Sequence, residues 1–171
     1  MPGTSLDGLR VYGPTHATYL AEVVARIRQH YGPRLTALAV FGSYARGANR
    51  LDSDLDLLVV LADAPRRRER LEDFVLHVEL PLTPLAVRLQ VDEGISAELS
   101  PYLLTEEEAG FFQPIYVDLA EHHVVLADPR GFLADLLARL HAFLEAHPPE
   151  RFRAGSGWGW DHGGYFGGCR L

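Results

Sequence analysis

Cysteine is almost absent from this chain of 171 residues. The one thiol, Cys169, has no internal partner, which excludes an intramolecular disulfide and sets a reducing compartment as the expectation. Lysine is lacking as well: the 16 basic residues are arginines, set against 23 acids, for a formal net charge of -7. That balance argues against extended nonspecific binding to DNA or RNA, which depends on neutralising many phosphates, and favours a small ligand or a protein partner. Nor does any apolar run approach the length that crosses a bilayer, and the opening "MPGTSLDGLR" has neither the basic start nor the apolar segment of a secretion signal. The expectation is a cytoplasmic protein with no membrane partner. No internal repeat is evident.

What is present suffices for one domain, long enough to bury roughly two thirds of the surface its unfolded chain would expose. Residues 1–150 read as that domain and 151–171 as a tail rich in glycine and aromatics. Tyr19, Leu20, Val23, Val24, Ile27 and Tyr31 recur at helical spacing, with Thr15 as N-cap and Gly32-Pro33 as the stop. "RLTALAVFG" reads as a buried strand, and Leu55 to Leu61, apolar on both faces, as a strand covered on both sides. Pro65 to Leu80 reads as a helix whose opening arginines, Arg66, Arg67, Arg68 and Arg70, form a solvated start relieved by Glu69, Glu72 and Asp73. The alternation Leu85, Val87, Leu89, Val91 predicts a half-exposed strand, returning through Glu93-Gly94 into "ISAELSPYLLT" as a hairpin. Thr105 and Glu108 form a capping box for a helix to about Ala120, "HHVVLAD" is a short strand, and Phe132 to His147 is a closing helix. Such alternation indicates an α/β or α+β domain with a mixed sheet flanked by helices.

The chemistry concentrates in "GSYARGANRLDSDLDLLVV", Gly42 to Val60. Residues two apart on a strand share a face, so Asp54 and Asp56 project together, with Cα atoms about 6.5 to 7 Å apart. Two like charges beside an apolar strand repel and resist desolvation, a conflict that a divalent cation removes. An oxygen-only donor set suits Mg²⁺ or Mn²⁺ and not Zn²⁺. Ahead of the acids, Gly42 permits a tight turn and Ser43 opens a short helical turn whose free N–H groups and hydroxyl form an anion site, with Arg46 able to add charge. An EF-hand fails because Leu57 stands where the loop needs glycine and Asp63 where it needs a bidentate glutamate. A Walker A loop fails because no Gly-Lys-Ser/Thr follows Gly42. Turn chemistry accounts for Asp52 and Ser53 but leaves Asp56 inside an apolar strand unexplained.

Gly42-Ser43, ten residues, then Asp54-Leu55-Asp56, flanked by "ALAVF" and "LLVV", resembles the signature of the DNA polymerase β-like nucleotidyltransferase superfamily. "GSYARG" with "SDLDLLV" looks most like its minimal nucleotidyltransferase (MNT) group. "SPYLLTEEE", "YVDLAEHHVVLAD" and "GWGWD" extend the likeness weakly along the chain. The resemblance implies paired acids, Asp54 and Asp56, holding two Mg²⁺ ions, Gly42 and Ser43 gripping the phosphates of ATP or another NTP, and attack of an acceptor hydroxyl on the α-phosphate. It also implies a third carboxylate from a neighbouring strand, for which Glu98 is the first candidate and Asp92 the second. It suggests a HEPN-type toxin as acceptor and this chain as the antitoxin. The 3'-hydroxyl of RNA and a small alcohol such as an aminoglycoside stay open as acceptors. The competing class is a noncatalytic binding module of the same fold. His122, His123 and His162 lack ligand spacing with a second His or Cys and read as ordinary histidines.

Overall fold

The computed structural model describes residues 6–148, 150–154, 157–161 and 169–171, with side chains described to residue 148 and again from 169. Helix α1 (Pro14–Tyr31) buries Tyr19, Leu20, Val23, Val24, Ile27 and Tyr31, the face its periodicity predicts. It starts one residue before Thr15, with Gly13 at the cap and Pro14 in the first turn, where a missing N–H costs nothing. Strand β1 (Leu35–Val40) is buried along its whole length, and β2 (Leu55–Leu61) nearly so. They pair antiparallel, and β2 pairs parallel with β3 (Leu99–Thr105). Strand β4 (Val124–Ala127) completes a mixed sheet of order β3-β2-β1-β4.

Both faces of the sheet are covered. Leu38, Val40, Leu55, Leu57, Val59 and Leu61 pack toward α1 and the helix after β2. Ala37, Ala39, Phe41, Leu58 and Val60 pack under α6 (Tyr116–Glu121) and α7 (Phe132–Ala146). Layers on both sides explain why these strands read as continuous apolar runs. Truncating Leu57 or Leu58, both fully buried, to alanine is expected to cost about 2–5 kcal/mol.

The segment after β2 departs from the sequence reading. It is one helix from Arg67 to Glu93, made of α3 (Arg67–Phe74), a π turn (Val75–Glu79) and α4 (Leu80–Glu93). No strand or hairpin forms at Leu85–Val91. The alternation there conceals a second period: Arg70, Phe74, Val78, Leu82 and Leu89 recur at helical spacing and are buried. Pro81 and Pro84, which look like breaks, are accommodated. The ring of a helical proline collides with the carbonyl four residues back, and the wide turn just before Pro81, closed by Leu80 N–H to the Val75 carbonyl, relieves that crowding. Glycine ends the helix as expected, with Gly94 at φ 67°.

Arg70 is also not solvated. It is 4% exposed, forks onto both Glu108 oxygens at 2.6 and 2.7 Å, and reaches the Leu103 carbonyl at 3.2 Å. Glu108 is meanwhile half of the capping box with Thr105, as the sequence predicts. That box opens only α5 (Glu106–Ala109), because Gly110 and then Pro114 interrupt what looked like a helix to Ala120. In the tail, β5 (Glu150–Ala154) and β6 (Gly157–Asp161) pair antiparallel, although glycine at this density does not hold a regular element by itself. Cross-strand hydrogen bonding supplies the order that the glycines lack alone. The side chains of Trp158 and Trp160, and all of His162, lie outside the described residues. The last residues dock: Phe112 N–H donates to the Cys169 carbonyl, and Leu171 packs among the α6–α7 apolar residues.

Candidate functional site

Where β1 ends, the Phe41 N–H still donates to the Asp56 carbonyl at 3.1 Å, and the chain then turns sharply at Gly42 with φ 65°. A Cβ built on Gly42 would lie 2.0 Å from Asp56 Oδ2. Glycine is therefore required twice, by its backbone conformation and by the carboxylate that occupies the space beside it. The next residues form α2 (Gly42–Ala45), a single turn closed by Arg46 N–H to the Gly42 carbonyl and Ala48 N–H to the Ser43 carbonyl. Its first N–H groups have no intrahelical acceptor. The Ser43 hydroxyl is buried and has no hydrogen-bond partner. A buried hydroxyl without a partner carries a desolvation cost that a bound anion would repay.

Asp54 and Asp56 are both partly exposed and sit at the open end of β2. Burial pushes the Asp56 carboxyl up to about 6, and the charges of Asp54 and Asp118 push the same way. A hydrogen bond from Ser100 and the charge of Arg46 oppose the shift. Ser100 faces Asp56 because the parallel register pairs those two residues. Acids thus outnumber cations around Asp56, and oxygens are the only donors at hand. That donor set fits a hard divalent cation such as Mg²⁺.

Glu98 lies one step before Leu99, the register partner of Leu55, and its carbonyl accepts from Leu55 N–H at 2.9 Å. Strand register therefore sets Glu98 opposite Asp54. Its side chain is exposed and also adjoins Glu79, whose carboxyl is raised by burial and then by the Glu98 charge. Asp92 is elsewhere, in the last turn of α4, lining a cleft with Pro14, Thr15 and Arg88. Asp52 belongs to turn chemistry, held by a two-pronged exposed contact from Arg50 at 3.0 and 2.7 Å.

Four site-shaping residues, Asp118, His16, Tyr12 and Asn49, carry no sequence signal. Asp118, on α6, meets Arg46 at 3.5 Å. The contact spans 72 residues, so no local spacing announces it. His16 is fully buried in α1, and its Nε2 lies 3.0 Å from the Tyr44 hydroxyl. Because Tyr12 N–H donates to His16 Nδ1 at 3.3 Å, the proton sits on Nε2 and points at Tyr44. Burial holds His16 below its usual value, so it is a neutral pin. Tyr12 in turn donates its hydroxyl to the Asn49 carbonyl, and the buried Asn49 side chain donates to the Arg10 carbonyl at 3.2 Å. The segment before α1 thereby holds Asn49, and the first turn of α1 holds Tyr44, so the two together clamp both ends of the loop that begins with Gly42.

A second cluster of ligand-type side chains, His30, Asp73 and His77, lies at the other end of α1. His30 and His16 are separated by roughly 21 Å of helix rise. The imidazoles of His30 and His77 stack with planes only 7° apart, so their in-plane lone pairs run parallel and do not converge on one ion. Both rings hydrogen-bond to Asp73 instead, His30 at 2.7 Å to its carboxylate and His77 at 3.0 Å to its carbonyl.

Residues 20–125 match the family model described as nucleotidyltransferase domain. Over 132 residues the chain is 41% identical to the "Putative protein adenylyltransferase MJ1305" of Methanocaldococcus jannaschii, covering 76% of this chain and 84% of that protein. Among solved structures, the spectinomycin adenyltransferase AAD(9) of Enterococcus faecialis, with ATP and spectinomycin, aligns at a TM-score of 0.53 and 12% identity, over 76% of this chain and 66% of that one. The structure of a tri-AMPylated Shewanella oneidensis HEPN toxin in complex with its MNT antitoxin aligns at 0.42 and 14% identity, over 75% and 87%. At such identities the structural likeness speaks to the fold alone. The mixed sheet flanked by helices is the polymerase β-like nucleotidyltransferase fold.

Proposed function

The chain belongs to the nucleotidyltransferase domain family, and from that premise we propose that it moves AMP from ATP, with Mg²⁺, onto a hydroxyl of a protein partner. One observation carries the reading: the Asp56 carboxylate occupies the space beside Gly42, which cannot be anything larger, and the very next residue, Ser43, carries a buried hydroxyl with no partner. Asp54 and Asp56 hold the metal, with Glu98 as the third carboxylate by strand register. Ser43 and the first N–H groups of α2 hold the phosphates, and Arg46, steadied by Asp118, faces their charge. Two Mg²⁺ ions, when bound, would supply activation of the acceptor hydroxyl and neutralisation of charge on the leaving group.

The acceptor oxygen forms a bond to the α-phosphorus while the bond from that phosphorus to the bridging oxygen breaks. Pyrophosphate leaves, and the acceptor proton passes to the Glu98 carboxylate. A protein acceptor is favoured over nucleic acid by the net charge of -7 and by the name of the 41% identical relative. Within protein acceptors, the MNT-like motif from Gly42 to Val60 points to a HEPN-type toxin. The test is incubation with labelled ATP and Mg²⁺, with and without a HEPN-type partner protein. Label on the partner that disappears with Asp54→Asn is the expected result. ATP binding with no label on any species would replace the enzyme by a noncatalytic module of the same fold.

A further inference from the structure

Arg66, Arg67, Arg68 and Arg70 form the densest basic patch of a chain with net charge -7, and the site described above uses none of them. Arg68 is paired with Glu72 at 2.8 Å on the surface. Arg67 and Arg70 instead share a cavity of about 220 Å³ between the start of α3, strand β3 and the turn after α5, with Tyr102, Glu108 and Gln113 in its walls. Drug-sized ligands occupy pockets of about 300–1,000 Å³, so this one admits something smaller. Leu103, which also lines it, lies three residues along β3 from Ser100, the register partner of Asp56, or about 10 Å of strand away. The cavity is separate from the proposed metal site.

Arg70 has a structural task, and the task occupies only part of it. Nη1 donates to the Leu103 carbonyl at 3.2 Å and to Glu108 at 2.6 Å, while Nη2 donates to the other Glu108 oxygen at 2.7 Å. Glu108 in turn accepts from the Thr105 N–H at 2.9 Å, so the pair caps the outer edge of β3, the last strand of the sheet. By length and composition alone the helix from Arg67 to Glu93 qualifies as a membrane span, and this buried pair ties it into the domain instead. Three of the five guanidinium N–H groups are thus in use. The other two, Nε–H and the second hydrogen of Nη2, lie along one edge, the fork that matches two oxygens of a carboxylate or phosphate. Arg70 is 4% exposed, and its Nε is closed off from water with no hydrogen-bond partner. A buried donor in that state carries a desolvation cost that native structures rarely leave unanswered.

The walls say what answers it. Both oxygens of Glu108, the one acid in the cavity, are engaged by Arg70. The Tyr102 hydroxyl donates to Gln113 Oε1 at 3.1 Å, and Gln113 Nε2 donates to the Glu108 and Phe111 carbonyls at 3.1 and 3.2 Å, which fixes that side. Arg67 is the movable wall: it is exposed, forms no ion pair among the described residues, and lies 5.7 Å over the Tyr102 ring. Two guanidiniums against one carboxylate leave the lining net positive. An anion with two oxygens satisfies the open Arg70 edge and draws Arg67 off the ring to close over it. We propose that this cavity binds a small oxoanion, a phosphate or a carboxylate, forked onto the Nε–Nη2 edge of Arg70 and covered by Arg67.

The experiment follows the arginine Nε–H signals of the full chain in proton–nitrogen correlation spectra. The Arg70 signal, identified by its contacts with Leu103, reads this cavity and not the phosphate turn at Ser43. Inorganic phosphate and glutarate are titrated separately, each against sodium chloride at equal ionic strength. A saturable shift of the Arg70 signal in the millimolar range or below is expected with at least one of the two probes and not with chloride. Arg67→Ala, exposed and so without effect on folding, should weaken that binding about tenfold or more. The tighter probe names the source, a phosphoryl group or an acid side chain. A signal that responds to neither probe overturns the proposal. So does a response that chloride reproduces, or one that Arg67→Ala leaves at full strength, since either reports charge screening alone.

Discussion

Asp73 and Asp56 sit near opposite ends of the domain, the first beside the last turn of α1 and the second beside Gly42 at the end of β1. Asp73 has its oxygens engaged: His30 and His77 stack in parallel planes and both direct a ring nitrogen at it. Asp56 has one hydroxyl donor, Ser100, and the charges of two other acids raise its carboxyl further. The same functional group is thus complete in one place and deficient in the other. A deficiency that the fold maintains, here with a glycine reserved for it, is the observation on which the proposed metal site rests.

The contrast breaks most clearly at Asp56. Asp56→Asn should lower Mg²⁺-dependent transfer roughly a thousandfold or more, since charge stabilisation by a metal is worth several kcal/mol. It should leave the unliganded fold as stable or slightly more stable. Initial rates with labelled ATP and a thermal melt read the two effects. A variant that lost stability in proportion to activity would make Asp56 a structural residue like Asp73.

Gly42→Ala comes next, with about a hundredfold loss of transfer and about 1–3 kcal/mol of stability, because the new Cβ must displace the Asp56 carboxylate and adopt a strained backbone. Wild-type kinetics in this variant would separate Asp56 from the phosphate turn. Asp118→Asn is expected to cost about tenfold, mainly in the KM for ATP, because it acts through Arg46. A loss as deep as that of Glu98→Gln would promote Asp118 to the third carboxylate.

These residues differ in how visible they are in the chain. Gly42, Ser43, Asp54 and Asp56 are legible because strand period and turn chemistry are local, and β1 and β2 follow from their apolar runs. His16 and Asp118 are silent, since their contacts with Tyr44 and Arg46 span 28 and 72 residues. Leu85 to Val91 misleads outright. Every second residue there is apolar, so a strand and a helix with an exposed apolar stripe share one pattern. Only the fold, by burying Leu82 and Leu89, decides between them. Arg70 reads like its solvated neighbours for a similar reason: nothing near it in sequence reveals Glu108.

The pH dependence of the unliganded protein sharpens the comparison further. The Asp56 carboxyl rises from an ordinary value of 3.8 to about 6 in the fold. Between those values the folded protein holds a proton that the unfolded chain releases, so this group makes stability fall as pH rises through that window and then level off. Mg²⁺ competes with that proton. Its stabilising effect in a thermal melt should be small at pH 5 and reach its full size above about pH 7. Asp56→Asn should flatten both dependences. A Mg²⁺ effect independent of pH in the wild type would remove Asp56 from the metal site.

The smallest effect belongs to the end of the domain that is already satisfied. Asp73→Asn removes a carboxylate that two imidazoles share, but its side chain is 33% exposed and its carbonyl, which also accepts from His77, is untouched. Hydrogen bonds of this kind contribute about 0.5–1.5 kcal/mol, so a loss of about 1 kcal/mol is expected, read by denaturant unfolding. Transfer should be unchanged, and so should the response to Mg²⁺. Zn²⁺ should add no stability that Asp73→Asn removes, because parallel rings do not present two lone pairs to one ion. Were Zn²⁺ to raise the melting temperature of the wild type and not of Asp73→Asn, the rings would have to rotate on binding. The two ends of α1 would then differ in which metal they take and not in whether they take one.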